Sequence, residues 1–276
     1  MTAQRSPHPS LSSLIDLAHE LADLAGRAIR PYFRRRLVVE NKAGVGGFDP
    51  VTKADRAAER IIRRTLRQRV PEHGVDGEEY GTRRAAGRFT WVVDPIDGTR
   101  AFIMGLPMWG TLIGLLDGDK PILGVMDQPY TRERFWSGKR ASHWRGADAT
   151  TRRLETRPCA RLSDAILCTT HPDMFAPGCE QSTFADITAR VRMTRYGGDC
   201  YAYCLLAAGH IDLIVEAGLK PHDIVALIPI IEQAGGRITA WDGSSAVRGG
   251  QIVAAGDGRV HAEAVRVLGT AVGSRE

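Results

Sequence analysis

The stretch "WVVDPIDGT", residues 91–99, constrains the chain more than any other. An apolar run of strand composition ends in two carboxylates, Asp94 and Asp97, three positions apart. Pro95 has no N–H to donate and a fixed φ, which excludes an ordinary helix or strand interior there. The chain must therefore turn. Such a turn can point both carboxylates and the backbone carbonyl of Ile96 to one side. Gly98 permits a close backbone approach, and Thr99 offers a hydroxyl. Oxygen-only donors of this kind suit a hard cation such as Mg²⁺. Asp-Pro and Asp-Gly are also common turn formers, so the segment alone leaves both readings open.

Acids elsewhere shift the balance. "DGEEYG" places Glu78 and Glu79 just before the strand, "DPVTKAD" supplies Asp49, Thr52 and Asp55, and "LKPHDIVAL" places Asp223 after Pro221 near a helix start. Each by itself suits an N-cap or a solvated acid. Together they are pieces of a carboxylate-rich metal site drawn from distant parts of the chain.

The patterning around these pieces predicts a layered mix of helices and mixed sheet. "LSSLIDLAHELADLAGRAIRPYF" spaces its apolar residues for an amphipathic helix that Pro31 ends, and "KADRAAERIIRRTLRQRV" reads as a second. Between them "LVVENKAGVGGFDPVTKAD" reads as a short strand and a glycine-rich loop, with the glycines at 44, 46 and 47 as a flap matching no nucleotide-binding spacing. Residues 71–90 read as a loop. "FTWVVD", "WGTLIGLLDGDKPILGVMDQP" and "RFWSGKRASHWRG" are strand-rich, with a turn at "DGDK". After a polar stretch near residue 150, "AILCTT", "MTRYGG", "IDLIVEAG", "RITAW" and "GQIVAAG" read as strands. "QSTFADITARV", "DCYAYCLLAAG" and "DIVALIPIIEQAGG" read as helices, the last ended by glycine. This divides the chain into a disordered tail over residues 1–11, an α+β half over 12–150 and an α/β half over 151–276.

Composition narrows the function classes. Of 276 residues, 43% are apolar and 25% charged, which is the balance of a globular protein. No apolar run is long enough to span a membrane, and the N-terminus lacks the apolar core of a signal peptide, so the expected location is the cytoplasm. Five cysteines with no CxxC pair argue against a disulfide framework or structural zinc. Cys200 and Cys204 read as buried small hydrophobes. The net charge is +5, with arginines at 34–36 and through "RRTLRQR". These are interleaved with apolar residues and lack aromatic partners, so a solvated helix face fits better than a nucleic-acid surface. A mild positive field also suits a small anionic substrate.

The motif "WVVDPIDGT", preceded by "GEE" and followed downstream by "HDIVAL", resembles the inositol monophosphatase family of Mg²⁺-dependent, lithium-sensitive phosphatases, over roughly residues 12–268. The resemblance implies a layered αβαβα sandwich, two to three Mg²⁺ ions per site and a homodimer. It implies that Glu78, Asp94, Asp97, Asp223 and the Ile96 carbonyl hold metal. Asp49 would serve a further, weaker metal, Thr99 would orient the attacking water, and Glu79 would support the ligands from behind. Gly98 and Thr99 would contact the phosphate. In one departure, His222 stands where many members have Trp, which leaves the ligand Asp223 intact and bears on the substrate. The implied reaction is in-line attack of a water activated at the metal centre, without a phosphoenzyme.

"RAFIMGLPMWGTLIGLL" and "GGDCYAYCLLAAGHIDLIVEAGLKPHDIVALIPIIEQAGG" resemble the histidinol-phosphatase branch more than the inositol branch. Gly198, Asp199 and Glu216 fall where members contact the leaving group, and extra acids there favour a cationic alcohol such as histidinol over inositol. Asp199 as an N-cap, Glu216 as a surface acid and Trp109 as core are the plainer readings. Inositol phosphate or another small ester is the alternative substrate. A non-catalytic protein binding anions or nucleic acid is a more distant one, opposed by the complete ligand set.

Overall fold

The computed structural model describes residues 9–42, 50–84 and 86–272. Asp49, the glycines at 44, 46 and 47, and the tail up to residue 8 lie outside the described residues. Helix α1 (Leu11–Ile29) begins at Ser10, whose hydroxyl accepts from the Ser13 amide. Its buried residues, among them Leu14, Leu17, Leu21, Ala25 and Ile29, recur every three or four positions as a single stripe. Short strands β1 (Glu40–Asn41) and β2 (Pro50–Val51) then pair antiparallel. Helix α2 (Lys53–Arg69) opens with a capping box: Thr52 Oγ accepts from the Ala54 amide while Asp55 accepts from the Thr52 amide. Ala54, Ala58, Ile62 and Leu66 face inward, while Arg60, Arg64, Arg67 and Arg69 are exposed.

Next come β3 (Gly74–Gly77), β4 (Gly81–Arg83), β5 (Phe89–Asp97), helix α3 (Thr99–Met104), β6 (Gly110–Asp117), β7 (Lys120–Gln128), β8 (Glu133–Ser137), β9 (Ser142–Arg145) and β10 (Thr151–Arg153). The eight strands form one sheet in the order β10-β9-β8-β7-β6-β5-β3-β4. All its pairings are antiparallel except β3 with β5. The parallel pair matters for function, because it brings the carboxyl ends of β3 and β5 to one place.

The remaining elements are β11 (Ile166–Thr169), α4 (Cys179–Thr188), β12 (Met193–Tyr196), α5 (Asp199–Ala207), β13 (Leu213–Leu219), α6 (Pro221–Ile224), α7 (Leu227–Gln233), β14 (Arg237–Ala240), β15 (Gly250–Ala255) and α8 (Gly258–Val272). Their strands make a second sheet ordered β12-β11-β13-β15-β14, in which β11 is parallel to both neighbours. Helices α1 and α2 cover one face of the first sheet. Helices α5 and α7 fill the space between the sheets, and α4 and α8 cover the far face of the second. The result is a five-layer αβαβα sandwich with three apolar clusters, one under each outer helix layer and one around the central helices between the two sheets. At two glycines the layers come too close for a side chain. A Cβ on Gly124 would lie 1.8 Å from Ala226 O, and one on Gly114 2.8 Å from Val225.

Four expectations need correction. Residues 71–90 are not a loop, since β3 and β4 lie within them; Gly74, Gly77 and Gly81 dilute the strand pattern, and pairing with β5 supplies the order instead. Pro95 does not exclude a strand, because β5 runs through it to Asp97 with a shift of register against β6. "DIVALIPIIEQAGG" is two helices, because the chain breaks step at Val225–Ala226 where it meets Gly114 and Gly124. Helices α3 and α8 had no place in the expected pattern. No helix among the described residues is long and apolar enough to cross a membrane.

Candidate active site

The site lies where the carboxyl ends of parallel strands from both sheets converge, the usual place for ligands in such sheets. From the first sheet, β3 delivers Glu78 and β5 delivers Asp94 and Asp97. The Glu78 amide donates to Val93 O at 3.2 Å, locking the two strand ends together. From the second sheet, β11 leads directly to Thr170, β12 leads through Gly197 and Gly198 into α5, and β13 runs through Glu216 to α6, which carries Asp223.

Strand β5 runs on through Pro95 to Asp97, and the proline is accommodated by an irregularity in the ladder. The ladder between β5 and β6 shifts register between Asp94 and Asp97. The Ile96 amide donates to Asp94 Oδ1 at 3.0 Å, Thr111 Oγ1 donates to Pro95 O at 2.8 Å, and Thr99 Oγ1 donates to Ile96 O at 3.0 Å. Gly98 has φ +83°, and a Cβ there would meet Met108 O at 2.9 Å and the Asp199 side chain at 3.1 Å. Glycine is therefore required where the two halves touch. Asp97 Oδ2 accepts from the Cys200 amide at 2.7 Å, at the start of α5.

Acids predicted from three separate stretches meet here. Oxygen atoms of Asp94, Asp97 and Asp223 lie within 4.8 Å of one another, and so do donor atoms of Glu78, Asp94 and His222. Burial raises the pKa of Asp94 well above the usual carboxylate range, and the charges of Glu78, Asp97 and Asp223 push it further. Burial does the same to Asp97, with Asp199 and Asp223 adding to it, and to Asp223, whose rise His222 opposes. Carboxylates this close cannot all ionise in a dry cleft unless a cation joins them. The donor set is hard and nearly all oxygen, so it fits Mg²⁺ better than a softer ion.

One cation is already present. Lys42 Nζ sits 2.7 Å from Glu78 Oε1 and 2.8 Å from Glu79 Oε1. Burial raises the Glu79 pKa and Lys42 lowers it in part. Behind this turn lies Glu59, which is fully buried and accepts from the Glu79 amide at 2.7 Å and the Tyr80 amide at 3.2 Å. Arg63 donates to the same carboxylate at 2.6 Å. Gly77 passes directly over it, where a Cβ would come 2.1 Å from Glu59 Oε1.

Beside the acid cluster is a small pocket of about 130 Å³, lined by residues that include Asp97, Thr170, Asp199, Tyr203, Glu216 and Asp223. Glu216 is 3% exposed and not a surface acid. Thr170 donates to its Oε1 from both the amide (2.9 Å) and the hydroxyl (2.6 Å), and Tyr203 donates to Oε2 at 2.8 Å. Burial still holds its pKa up at about 7. Asp199 has φ +43°, a left-handed conformation rare outside glycine, and burial raises its pKa to about 6 while Arg100 pulls it down. Trp109 is core, packed against Phe33 and Phe102. Lys42, Glu59, Thr170 and Tyr203 were not anticipated. They are single residues without a motif, and only the "VTKAD…E" spacing on α2 could have hinted at Glu59. His222, the departure from Trp, also brings its ring to Glu78 and Asp94.

The fold and the clustered acids define a phosphatase of the metal-assisted type. Residues 10–272 match the model of the inositol monophosphatase family, and the chain belongs to that family. Among curated relatives, it is 43% identical to the bifunctional phosphatase IMPL2, chloroplastic, of Arabidopsis thaliana, over 91% of this chain and 74% of that protein. It is 36% identical to the histidinol-phosphatase of Mycobacterium tuberculosis, over 91% of this chain and 96% of that protein. Among solved structures, it resembles an inositol monophosphatase from Zymomonas mobilis with a TM-score of 0.83 and 41% identity, covering 96% of this chain and all of that one.

Proposed function

We propose that the protein is a Mg²⁺-dependent phosphomonoesterase whose substrate is histidinol phosphate. The observation that carries the substrate is the second pair of acids, Asp199 and Glu216, in the pocket beside the metal-binding cluster. A pocket for a neutral polyol has no need of buried negative charge. A cationic amino alcohol repays its desolvation. Glu216 has both oxygens occupied by Thr170 and Tyr203, so it acts through its field and by fixing the pocket wall. Asp199 is the acid free to meet the amine. The histidinol-phosphatase relative supports this reading, and the inositol monophosphatase structure supports the alternative of a polyol phosphate.

Glu78, Asp94, Asp97, Asp223 and the Ile96 carbonyl would hold the metal, with His222 beside Glu78 and Asp94. Bound Mg²⁺ would supply charge neutralisation and Lewis acidity at the phosphoryl group. The protein's own groups do the rest. Thr99 has committed its proton to Ile96 O, so its oxygen acts as an acceptor, the role needed to orient an attacking water, while Asp49 would serve a further, more weakly held metal. Backbone amides at Gly98 and Thr99 would take phosphate oxygens at the head of α3. Glu59 holds the turn that aims Glu78 and Glu79.

The test is phosphate release from histidinol phosphate and inositol 1-phosphate side by side, with Mg²⁺ and with EDTA. Mg²⁺-dependent release that favours histidinol phosphate is expected. Preference for the inositol ester would discard the substrate while keeping the metal site, and equal rates in EDTA would discard the metal site.

A further inference from the structure

A second concave site lies away from the catalytic pocket and shares none of its lining. It is a cavity of about 300 Å³ between the C-terminal half of α1, the turn from β7 to β8 and the loop after β9. Its lining carries five arginines and two acids, Asp23 and Asp127. A single guanidinium takes both acids. Arg134, only 4% exposed, donates from Nε to Asp127 at 2.7 Å and from Nη2 to Asp23 at 2.6 Å. Arg145 adds to the positive field at Asp127. Arg27, Arg30 and Arg132 make no side-chain hydrogen bond or ion pair among the described residues. With Arg145 they are four guanidinium groups set against the single excess negative charge of the Arg134 cluster, which leaves a net charge of +3 around the cavity.

The α1 carbonyl end accounts for Arg27 and Arg30, which complement the helix dipole. It does not account for Arg132 and Arg145, which the sheet brings to the same cavity. Backbone geometry marks the place as well. Among the described residues four non-glycines have positive φ, and two of them, Arg132 (+62°) and Ala149 (+65°), line this cavity. A third is Asp199 in the catalytic pocket. Such strain gathers where a binding surface is held in shape by its surroundings. Gly26 lets α1 settle directly on Pro129 and Asp127, so the floor is rigid; a Cβ there would lie 2.9 Å from Pro129 Cβ.

We propose that this cavity binds a small organic polyanion carrying phosphoryl groups. Guanidinium forks match phosphoryl oxygens in pairs, and a net charge of +3 calls for a ligand of comparable negative charge. The volume is at the lower end for small-molecule sites and admits a ligand of about two phosphoryl groups with a compact body.

The test is calorimetric titration of the whole protein with pyrophosphate, in EDTA and at constant ionic strength. Without a divalent cation the catalytic carboxylates repel anions, so only the arginine cavity is read. Saturable binding at one site is expected, with Kd at least tenfold weaker in Arg30→Gln/Arg132→Gln and unchanged in Asp97→Asn. Both arginines are exposed and unpaired, so the melting temperature of the double variant should match wild type. Arg27→Gln/Arg145→Gln gives an independent second reading. Lack of saturation, a Kd indifferent to the arginine changes, or a Kd altered by Asp97→Asn would each overturn the proposal.

Discussion

Glu216→Gln isolates the cost of keeping a carboxylate in the leaving-group pocket. Glu216 is almost fully buried, and its pKa stands at about 7 in the folded protein against an ordinary 4.5. A folded pKa above the unfolded one means the native state holds the proton more tightly. Stability from this group is therefore complete below about pH 4.5 and is lost as pH rises through about 7. The difference corresponds to about 3 kcal/mol at most, at 1.36 kcal/mol per pKa unit. Glutamine is nearly isosteric, cannot ionise, and can still accept from Thr170. Its own offset in hydrogen-bond strength does not vary with pH, and the titrations of groups remote from it cancel between the two proteins, leaving Asp199, whose charge also raises the Glu216 pKa, as the coupled neighbour. Urea unfolding in EDTA at intervals from pH 4.5 to 8.5 is the assay. The variant's stability minus that of wild type should climb by about 2–3 kcal/mol across the range. A flat difference would refute the reasoning, because it would show that Glu216 titrates normally and that its Thr170 and Tyr203 bonds offset its burial.

Further expectations come from the same geometry. Asp94→Asn should fold, melt higher than wild type in EDTA because one repelling acid is removed, and lose at least about 10³-fold in kcat with Mg²⁺; near-normal turnover would take Asp94 out of the metal site. Gly77→Ala should drive Glu59 from the Glu79 and Tyr80 amides, cost about 2–4 kcal/mol and weaken activation by Mg²⁺; an unchanged Mg²⁺ titration would show that the turn is held by other means. Gly124→Ala should destabilise by about 2–4 kcal/mol, since its Cβ would overlap Ala226 O, and chemical denaturation would expose a smaller effect at once. Adding Mg²⁺ should raise the melting temperature more at pH 8 than at pH 5.5, because protons compete for the same raised carboxylates; the reverse order by scanning calorimetry would contradict the cluster.

Much of this molecule was legible in its sequence, for local reasons. Pro95 disrupts the regular ladder of strand β5, Gly98 tolerates a conformation and an approach that other residues cannot, and apolar residues at three and four positions apart declare α1 and α2. Those are properties of single residues and short spacings. The same holds for the acids at 78, 94, 97 and 223, whose identities allow a hard cation wherever they meet. Elements without such marks were missed: β3 is glycine-rich and becomes a strand only because β5 pairs with it, and α6 and α7 separate only where they press on Gly114 and Gly124. Only the tertiary structure decided that acids from three separate stretches share one cleft, that Lys42 bridges Glu78 and Glu79, and that Glu216 is buried with both oxygens bonded. It alone gathered arginines from α1 and the first sheet around a second cavity. The physical reason is the range of the forces involved. Backbone sterics act within a few residues, whereas desolvation and charge coupling depend on which side chains folding brings within a few ångströms, and one-dimensional spacing does not contain that distance.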